Sequence, residues 1–396
     1  MPSVRDVVHG PWRAVPVLGV TQIIAWGTIF YSPVLTVPLI AAERGWSLSF
    51  TMGGFSLCLL VAGLASPLVG RTIDRLGGHV VMAAGNLIGA LGLLALVHAA
   101  DRVSYLAVWM LLGVGLAASL YDSAFATLGR IFGAAARSPI TVLTLAGGFA
   151  STVGWPSTHL LMGSIGWRGT YLVYAALLAL VCAPLHAFVL PRSCAAAAAP
   201  PADGVKAPAL LPPHGAAFLL VAAAFAGYAF VPSALSAHLL GVFGRAGIDA
   251  ATVVLIGALF GPAQVAARLT EFIFGRDLHP LTLARFAVAL LVAAFAMLGL
   301  FGISVPAAAA FALMFGAANG LITIARGAVP LALFGATGYG ALIGRIAGPS
   351  LLMQAAAPLA LAVVIERMSD PAALAATAAF AVIALACFAA IRRPTT

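Results

Sequence analysis

The chain has 396 residues, 63% of them hydrophobic and only 8% charged, with a formal net charge of +9. A soluble domain carries about 25% charged residues, so this composition cannot cover a water-facing surface and excludes a soluble globular protein. The excess positive charge is dispersed among short hydrophilic turns rather than gathered on one face, which argues against a nucleic-acid partner.

A membrane-crossing helix needs ~20 mostly apolar residues. Apolar runs separated by charge, Gly or Pro predict an all-α integral membrane protein with twelve transmembrane helices. Six fall in the first half, at approximately 14–41, 49–69, 80–100, 103–128, 139–164 and 169–190. Six fall in the second, at approximately 215–237, 250–274, 281–302, 306–329, 340–365 and 371–391. The first run follows Met1–Arg13 and is about 27 residues long, too long for the apolar part of a cleaved signal peptide, so it reads as the first helix itself. Pro16, Pro33 and Pro38 punctuate that helix, Pro156 is expected to bend the fifth, and Gly344, Gly348 and Pro349 interrupt the eleventh.

Residues 70–79 (GRTIDRLGGH) read as a charged, glycine-rich turn between the second and third helices. Arg71-x-x-Asp74 returns 197 positions later as Arg268-x-x-Glu271, and Leu112–Ala118 resembles Phe315–Gly320 at an offset of 203, so the chain reads as two related halves. Residues 191–214, rich in Ala and Pro and holding the one lysine, Lys206, are expected to be an extended cytoplasmic linker. Three segments follow: a six-helix bundle over 1–190, the linker over 191–214 and a second six-helix bundle over 215–396.

Of the twenty Lys and Arg residues, five (Arg44, Arg102, Arg168, Arg245 and Arg367) fall on one side of this layout and the rest on the other. The positive-inside rule then puts both termini in the cytoplasm, in a multi-pass protein of a bacterial inner membrane. Cys58, Cys182 and Cys387 lie in apolar helices and Cys194 in the linker, with no spacing for a metal or a disulfide framework. No GxxxxGK[ST] loop is present. No cofactor, metal or enzymatic activity is expected, and any transport would run on a gradient.

Ionisable groups inside a membrane are costly and are functional candidates by default. Asp122 in the fourth helix and Arg326 in the tenth sit at nearly matching places in the two halves, either as a cross-bundle ion pair, as a charge for an anionic substrate, or as solvated helix ends. His159 is a candidate proton relay, though a capping or interfacial role is the commoner one for a membrane histidine. Gln22, Trp26, Tyr31, Tyr228, Ser233, Asn319, Thr323 and Gln354 are candidates for lining a pathway or for hydrogen bonding between helices.

The G-x-x-x-D-R-x-G-G pattern at 70–78 resembles the signature loop of major facilitator superfamily transporters, and that resemblance extends over the whole chain at the level of topology. It implies alternating access between two six-helix bundles, with substrate held between parallel repeats and helices one, four, seven and ten lining the pathway. Gly70, Arg71, Asp74, Arg75 and Gly77 would then form a latch toward the start of the eleventh helix near Arg345, with Arg268 and Glu271 as a degraded second copy; three residues apart on one helical face, those two are also spaced to pair with each other. Within the superfamily, the tracts Trp26–Pro33 and Gly261–Val265 are similar to bacterial relatives of monocarboxylate and oxalate–formate carriers. In those carriers an Asp-x-x-x-Arg pattern engages a carboxylate; here it reads Gln264-x-x-x-Arg268, a departure that puts proton coupling through that position in doubt. Trp109 stands where an arginine is frequent, and Gly154–His159 replaces the GPxxGG element of proton-coupled drug exporters. The expected cargo is a small organic anion, with Arg326 or Arg268 as its counter-charge; a neutral or amphipathic cargo, such as a vitamin or a xenobiotic, is the alternative. Coupling to protons stays open, the bilayer is the surrounding partner, and a monomer is expected.

Overall fold

A computed structural model describes residues 10–192, 210–275 and 277–392. Most of the expected linker, with Cys194 and Lys206, lies outside the described residues. Those residues form fifteen α-helices with short 3-10 and π stretches and no strand. In chain order they are α1 (Ala14–Ala25), α2 (Pro33–Arg44), α3 (Leu48–Leu76), α4 (Gly78–His98), α5 (Arg102–Ser119), α6 (Tyr121–Phe132), α7 (Arg137–Gly147) and α8 (Ala150–Leu177). They continue as α9 (Ala216–Arg245), α10 (Ala250–Ala258), α11 (Phe260–Phe274), α12 (Pro280–Phe301), α13 (Val305–Phe334), α14 (Tyr339–Arg367) and α15 (Asp370–Ala390).

Among the described residues, ten stretches are long and apolar enough to cross a membrane, and one of them, Arg102–Val189, runs for 88 residues. That stretch is interrupted where its backbone leaves the helical region. Leu120 is extended (φ −90°, ψ −165°), Gly133 has φ 56° and Gly166 has φ 69° with ψ 174°.

Side chains set most helix starts. Asp101 accepts from the amides of Val103 and Ser104, and Ser104 Oγ accepts from the Asp101 amide, a capping box that opens α5. Asp249 caps α10 through the Thr252 amide and Ser369 caps α15 through the Ala372 amide.

The chain divides into two compact units, Met1–Ala207 with Gly335–Gly348, and Pro208–Phe334 with Pro349–Thr396. In the first unit, glycines on α3 and at the start of α14 remove the bulk that would hold the two helices apart. A methyl on Gly70 would collide with the Gly340 carbonyl, and one on Gly344 with the Ser66 carbonyl. In the second unit, α11 and α13 approach in the same manner, since a methyl on Gly316 would sit 2.6 Å from the Phe260 carbonyl oxygen. A methyl on Gly113 of α5 would sit 2.5 Å from the Cys58 carbonyl oxygen of α3, the corresponding contact of the first unit.

Each unit also ties its first span to its last. Arg168 donates to both carboxylate oxygens of Glu43, at 2.7 and 2.5 Å, and Trp167 Nε1 adds a bond at 2.8 Å. Arg245 donates to both oxygens of Asp370, at 2.8 and 2.7 Å. Both pairs span 125 residues.

Two sequence expectations are corrected here. Residues 70–79 are not a turn, because α3 continues through Gly70, Arg71, Asp74 and Arg75 to Leu76, and the chain reverses at Gly77 (φ 90°). Nothing in Thr72–Leu76 opposes a helix, and a glycine inside a helix is tolerated where a neighbour lies this close. The fourth predicted helix, 103–128, is not continuous, because it breaks at Leu120.

Candidate functional site

A buried arginine organises the second unit. Among the described residues Arg268 and Glu271 are the buried side chains of formal charge, 3% and 5% exposed, one turn apart on α11. Arg268 Nε donates to the Gly320 carbonyl at 3.3 Å, and its Nη2 donates to Gln264 Oε1 at 3.2 Å and Thr323 Oγ1 at 3.4 Å. Gly320 permits the approach, since a methyl there would sit 2.6 Å from the Gln264 carbonyl oxygen. Thr323 Oγ1 in turn donates to the Asn319 carbonyl at 2.7 Å, and Tyr228 Oη donates to Asn319 Oδ1 at 3.1 Å. The structure therefore gathers Tyr228, Gln264, Arg268, Asn319 and Thr323 into one network on α9, α11 and α13. These acceptors hold the guanidinium plane, and the buried Glu271 carboxylate lies one turn along the same helix. A planar fork with five donors suits a carboxylate, and a low-dielectric setting strengthens that attraction.

Two further candidates, Ser233 and Arg326, lie on α9 and α13. Ser233 Oγ donates to the backbone carbonyl of Gln354 at 2.7 Å, joining α9 to α14. Arg326 is half-buried on α13, one turn beyond Thr323.

In the first unit, Gln22 is fully buried and its amide is committed. Nε2 donates to the Ser119 carbonyl at 2.7 Å, while Oε1 accepts from Trp26 Nε1 at 3.1 Å. The Ser119 carbonyl is one of those freed where the helix breaks at Leu120, and Ser123 Oγ takes another, that of Ala117, at 2.7 Å. Gln22 thus completes the break and fixes the Trp26 ring. Trp26 opens the π-helical stretch Trp26–Tyr31, an irregularity frequent at functional sites. Its ring lies 5.2 Å from Tyr121, 5.9 Å from Tyr31 and 4.7 Å from Phe30, and Tyr31 lies 5.5 Å from Trp155. Trp26, Tyr31 and Tyr121 form one aromatic face.

Asp122 occupies the first turn of α6, immediately after the break. It lines a small cavity of about 10 Å³, room for one water, together with Ser66, Gly70, Ser123, Gly340 and Gly344. The expected partner Arg326 belongs to the other unit.

Asp74 reaches the start of α14 through its backbone. Oδ1 accepts from the Gly340 amide at 2.9 Å and Oδ2 from the Ala341 amide at 2.7 Å, a carboxylate set on the positive end of a helix. Arg345 lies one turn further along α14. Arg71 Nε donates to the Pro67 carbonyl of its own helix at 3.2 Å, and Arg75 is exposed. Arg130 donates through Nη1 to the carbonyls of Ile73 and Asp74, closing the end of α3.

Sequence reasoning passed over two of these features. Arg130 carried a faint signal as a cation at the end of an apolar run, a common place for a carbonyl-capping side chain. His186 carried none, since it looks like any polar residue in an apolar helix. It is fully buried, with Nδ1 3.1 Å from Asn86 Nδ2 and Nε2 2.8 Å from Thr21 Oγ1. His159, the histidine weighed as a relay, is exposed. Among the described residues no three His, Cys, Asp or Glu side chains converge for a metal.

Residues 17–344 match the family profile described as Major Facilitator Superfamily. The human protein named monocarboxylate transporter 11 is 30% identical over 137 residues, which is 34% of this chain and 29% of that protein. The matched region thus spans less than a third of that relative's length. Among solved structures, the human organic anion transporter MFSD10 (TETRAN) has a TM-score of 0.73 at 17% identity, covering 98% of this chain and all of that one. The proton:xylose symporter XylE has a TM-score of 0.74 at 10% identity, covering 96% and 95% of the two chains. The transporter FucP, in an outward conformation, has a TM-score of 0.72 at 12% identity, covering 95% and 97%. At such identities these likenesses speak for the fold, while the family profile, matching most of the chain, speaks for ancestry. The chain is a multi-pass membrane protein of the major facilitator superfamily, a family of transporters and not of enzymes.

Proposed function

We propose that the chain is a secondary active transporter of a small organic anion, with a monocarboxylate as the leading class and Arg268 as the charge that engages the carboxylate. The observation carrying this reading is the burial of Arg268 in a polar network on α9, α11 and α13, since an ionisable group buried in a membrane protein marks a substrate or ion pathway and an arginine fork matches a carboxylate. The name of the partial relative and that of the human organic anion transporter are consistent with it.

The 88-residue apolar stretch would extend over ~130 Å as one helix, several bilayer thicknesses. Its interruptions at Leu120, Gly133 and Gly166 suit three crossings, which brings the total to twelve. In this reading the halves 1–190 and 215–396 alternate access by rocking, about the linker 191–214. The protein works as a monomer in a bacterial inner membrane with both termini cytoplasmic.

A second reading has its own support. The face built from Trp26, Tyr31 and Tyr121 suits a neutral or amphipathic cargo, because aromatic rings contribute large contact area without charge. The test is uptake into proteoliposomes of radiolabelled pyruvate, lactate and oxalate, beside a thermal-shift panel of carboxylates, vitamins and cationic drugs. Saturable carboxylate uptake that is lost in Arg268→Gln supports the first reading. Stabilisation by neutral or cationic compounds alone overturns it.

A further inference from the structure

We infer that the end of the first unit around Gly77 is a binding site for a phosphate group, of the kind carried by an anionic phospholipid headgroup. Gly77 closes α3 with φ 90° and is itself buried. In place of the side chain it lacks, two side-chain nitrogens converge: His79 Nδ1 is 2.8 Å and Arg130 Nε 3.8 Å from the position a Cβ would take. Arg192, at the end of the last span of this unit, acts on His79 electrostatically, as Arg130 does. Arg75 stands on the last turn of α3, two residues before Gly77.

The donors here are largely uncommitted. Arg130 uses only Nη1, on the carbonyls of Ile73 and Asp74, which leaves Nε and Nη2. Arg192 makes one long bond, to the Ala187 carbonyl at 3.4 Å. Arg75 and His79 make no hydrogen bond or ion pair among the described residues.

The carboxylate in this turn makes its hydrogen bonds elsewhere. Asp74 lies in the same turn as Arg75, yet both its oxygens accept from the amides of Gly340 and Ala341. The Arg130 guanidinium and the His79 imidazole thus meet at Gly77, with Arg192 acting on the same imidazole and Arg75 two residues away along the chain. Like charges at such range raise the energy of the fold, and a bound anion lowers it. Phosphate suits the position because arginine forks match its oxygens. A lipid supplies that phosphate at the depth where helix ends meet the headgroups, and basic clusters at such ends recognise anionic lipids. No residue of the Arg268 network takes part, so the site stands independently of the proposed cargo, although Arg75 and Gly77 also belong to the expected latch.

The test is thermal unfolding of the full-length protein in detergent, titrated with dioleoylphosphatidylglycerol, with dioleoylphosphatidylcholine, or with inorganic phosphate. A ligand of the folded state raises the midpoint with its occupancy. Phosphatidylglycerol should raise the midpoint where phosphatidylcholine does not. Arg75→Gln and Arg192→Gln, both at exposed positions, should each weaken the apparent affinity about fivefold, at ~1 kcal/mol per cation near a surface. Arg102→Gln, at the start of α5, should leave it unchanged. Stabilisation by inorganic phosphate that is lost in the same variants would also support the site, with free phosphate rather than lipid as the source. Equal stabilisation by both lipids, or a phosphatidylglycerol response unchanged in Arg75→Gln and Arg192→Gln, would overturn it.

Discussion

Arg245 grips Asp370 with two hydrogen bonds across 125 residues, and Arg168 grips Glu43 across the same interval with the charges in the opposite order. In the first unit the acid precedes the base in the chain, and in the second the base precedes the acid. The two pairs lie 202 positions apart residue for residue, close to the offsets of 197 and 203 at which sequence motifs recur. A duplicated ancestor accounts for the matching positions. The inverted polarity means that, during folding, Glu43 would meet a like charge at Asp370 and Arg168 a like charge at Arg245, so wrong partners repel.

Glu43→Arg alone should destabilise the protein, and Glu43→Arg with Arg168→Glu should recover most of the loss. The side chains are 42% and 41% exposed, so the coupling should stay within the ~0.2–1 kcal/mol of exposed pairs. A double-mutant cycle on thermal midpoints measures it. A double variant no more stable than the sum of its single variants would remove the pair from the account.

Gln22→Leu should cost about 1–3 kcal/mol, because it leaves the Ser119 carbonyl buried and unpaired at the helix break. The same change frees the Trp26 indole from its acceptor. Near-ultraviolet circular dichroism should therefore lose aromatic signal while the far-ultraviolet helical signal persists.

Asp74→Asn should weaken the hold on the start of α14. The neutral amide has one acceptor oxygen where the carboxylate has two, and it loses the attraction to the helix terminus, at a cost of about 0.5–2 kcal/mol. Transport should slow while ligand-induced thermal stabilisation stays near wild type. Equal loss of both would reduce Asp74 to a folding role.

Acid should unfold the protein partly through its exposed caps. The bonds Asp101 accepts from Ser104, and those Asp249 accepts from Thr252, hold both carboxyls below the ordinary aspartate range. A depressed folded value means their stabilisation is complete above the unfolded pKa, near 4, and fades as the pH falls through the folded value. Thermal midpoints should drop below about pH 4, and the drop should be shallower in Asp101→Asn with Asp249→Asn.

Composition and apolar periodicity made the fold class legible, because hydrocarbon demands long apolar helices whatever the details. The grouping of Tyr228, Asn319 and Thr323 with Arg268 was only partly legible: the sequence offered each residue as polar in an apolar run, and the packing of α11 on α13 joined them. The break at Leu120 was hidden because Ser119-Leu120-Tyr121 has no Gly or Pro, and the carbonyls it frees are taken by Gln22, 97 residues away, and by Ser123. The helical course of residues 70–76 was hidden for the opposite reason. Glycine and charge there suggest a turn, while the glycine serves the approach of Gly340. His186 could not be singled out, since its partners Thr21 and Asn86 lie on two distant helices.

The most direct test of the central claim is uptake of radiolabelled pyruvate, lactate and oxalate by the purified protein in proteoliposomes, wild type beside Arg268→Gln. Saturable uptake of at least one of the three by the wild type is predicted. In Arg268→Gln, with its thermal transition intact, that uptake should fall to the level of empty liposomes. Wild-type rates in Arg268→Gln, or no uptake of any of the three by the wild type, would contradict the account.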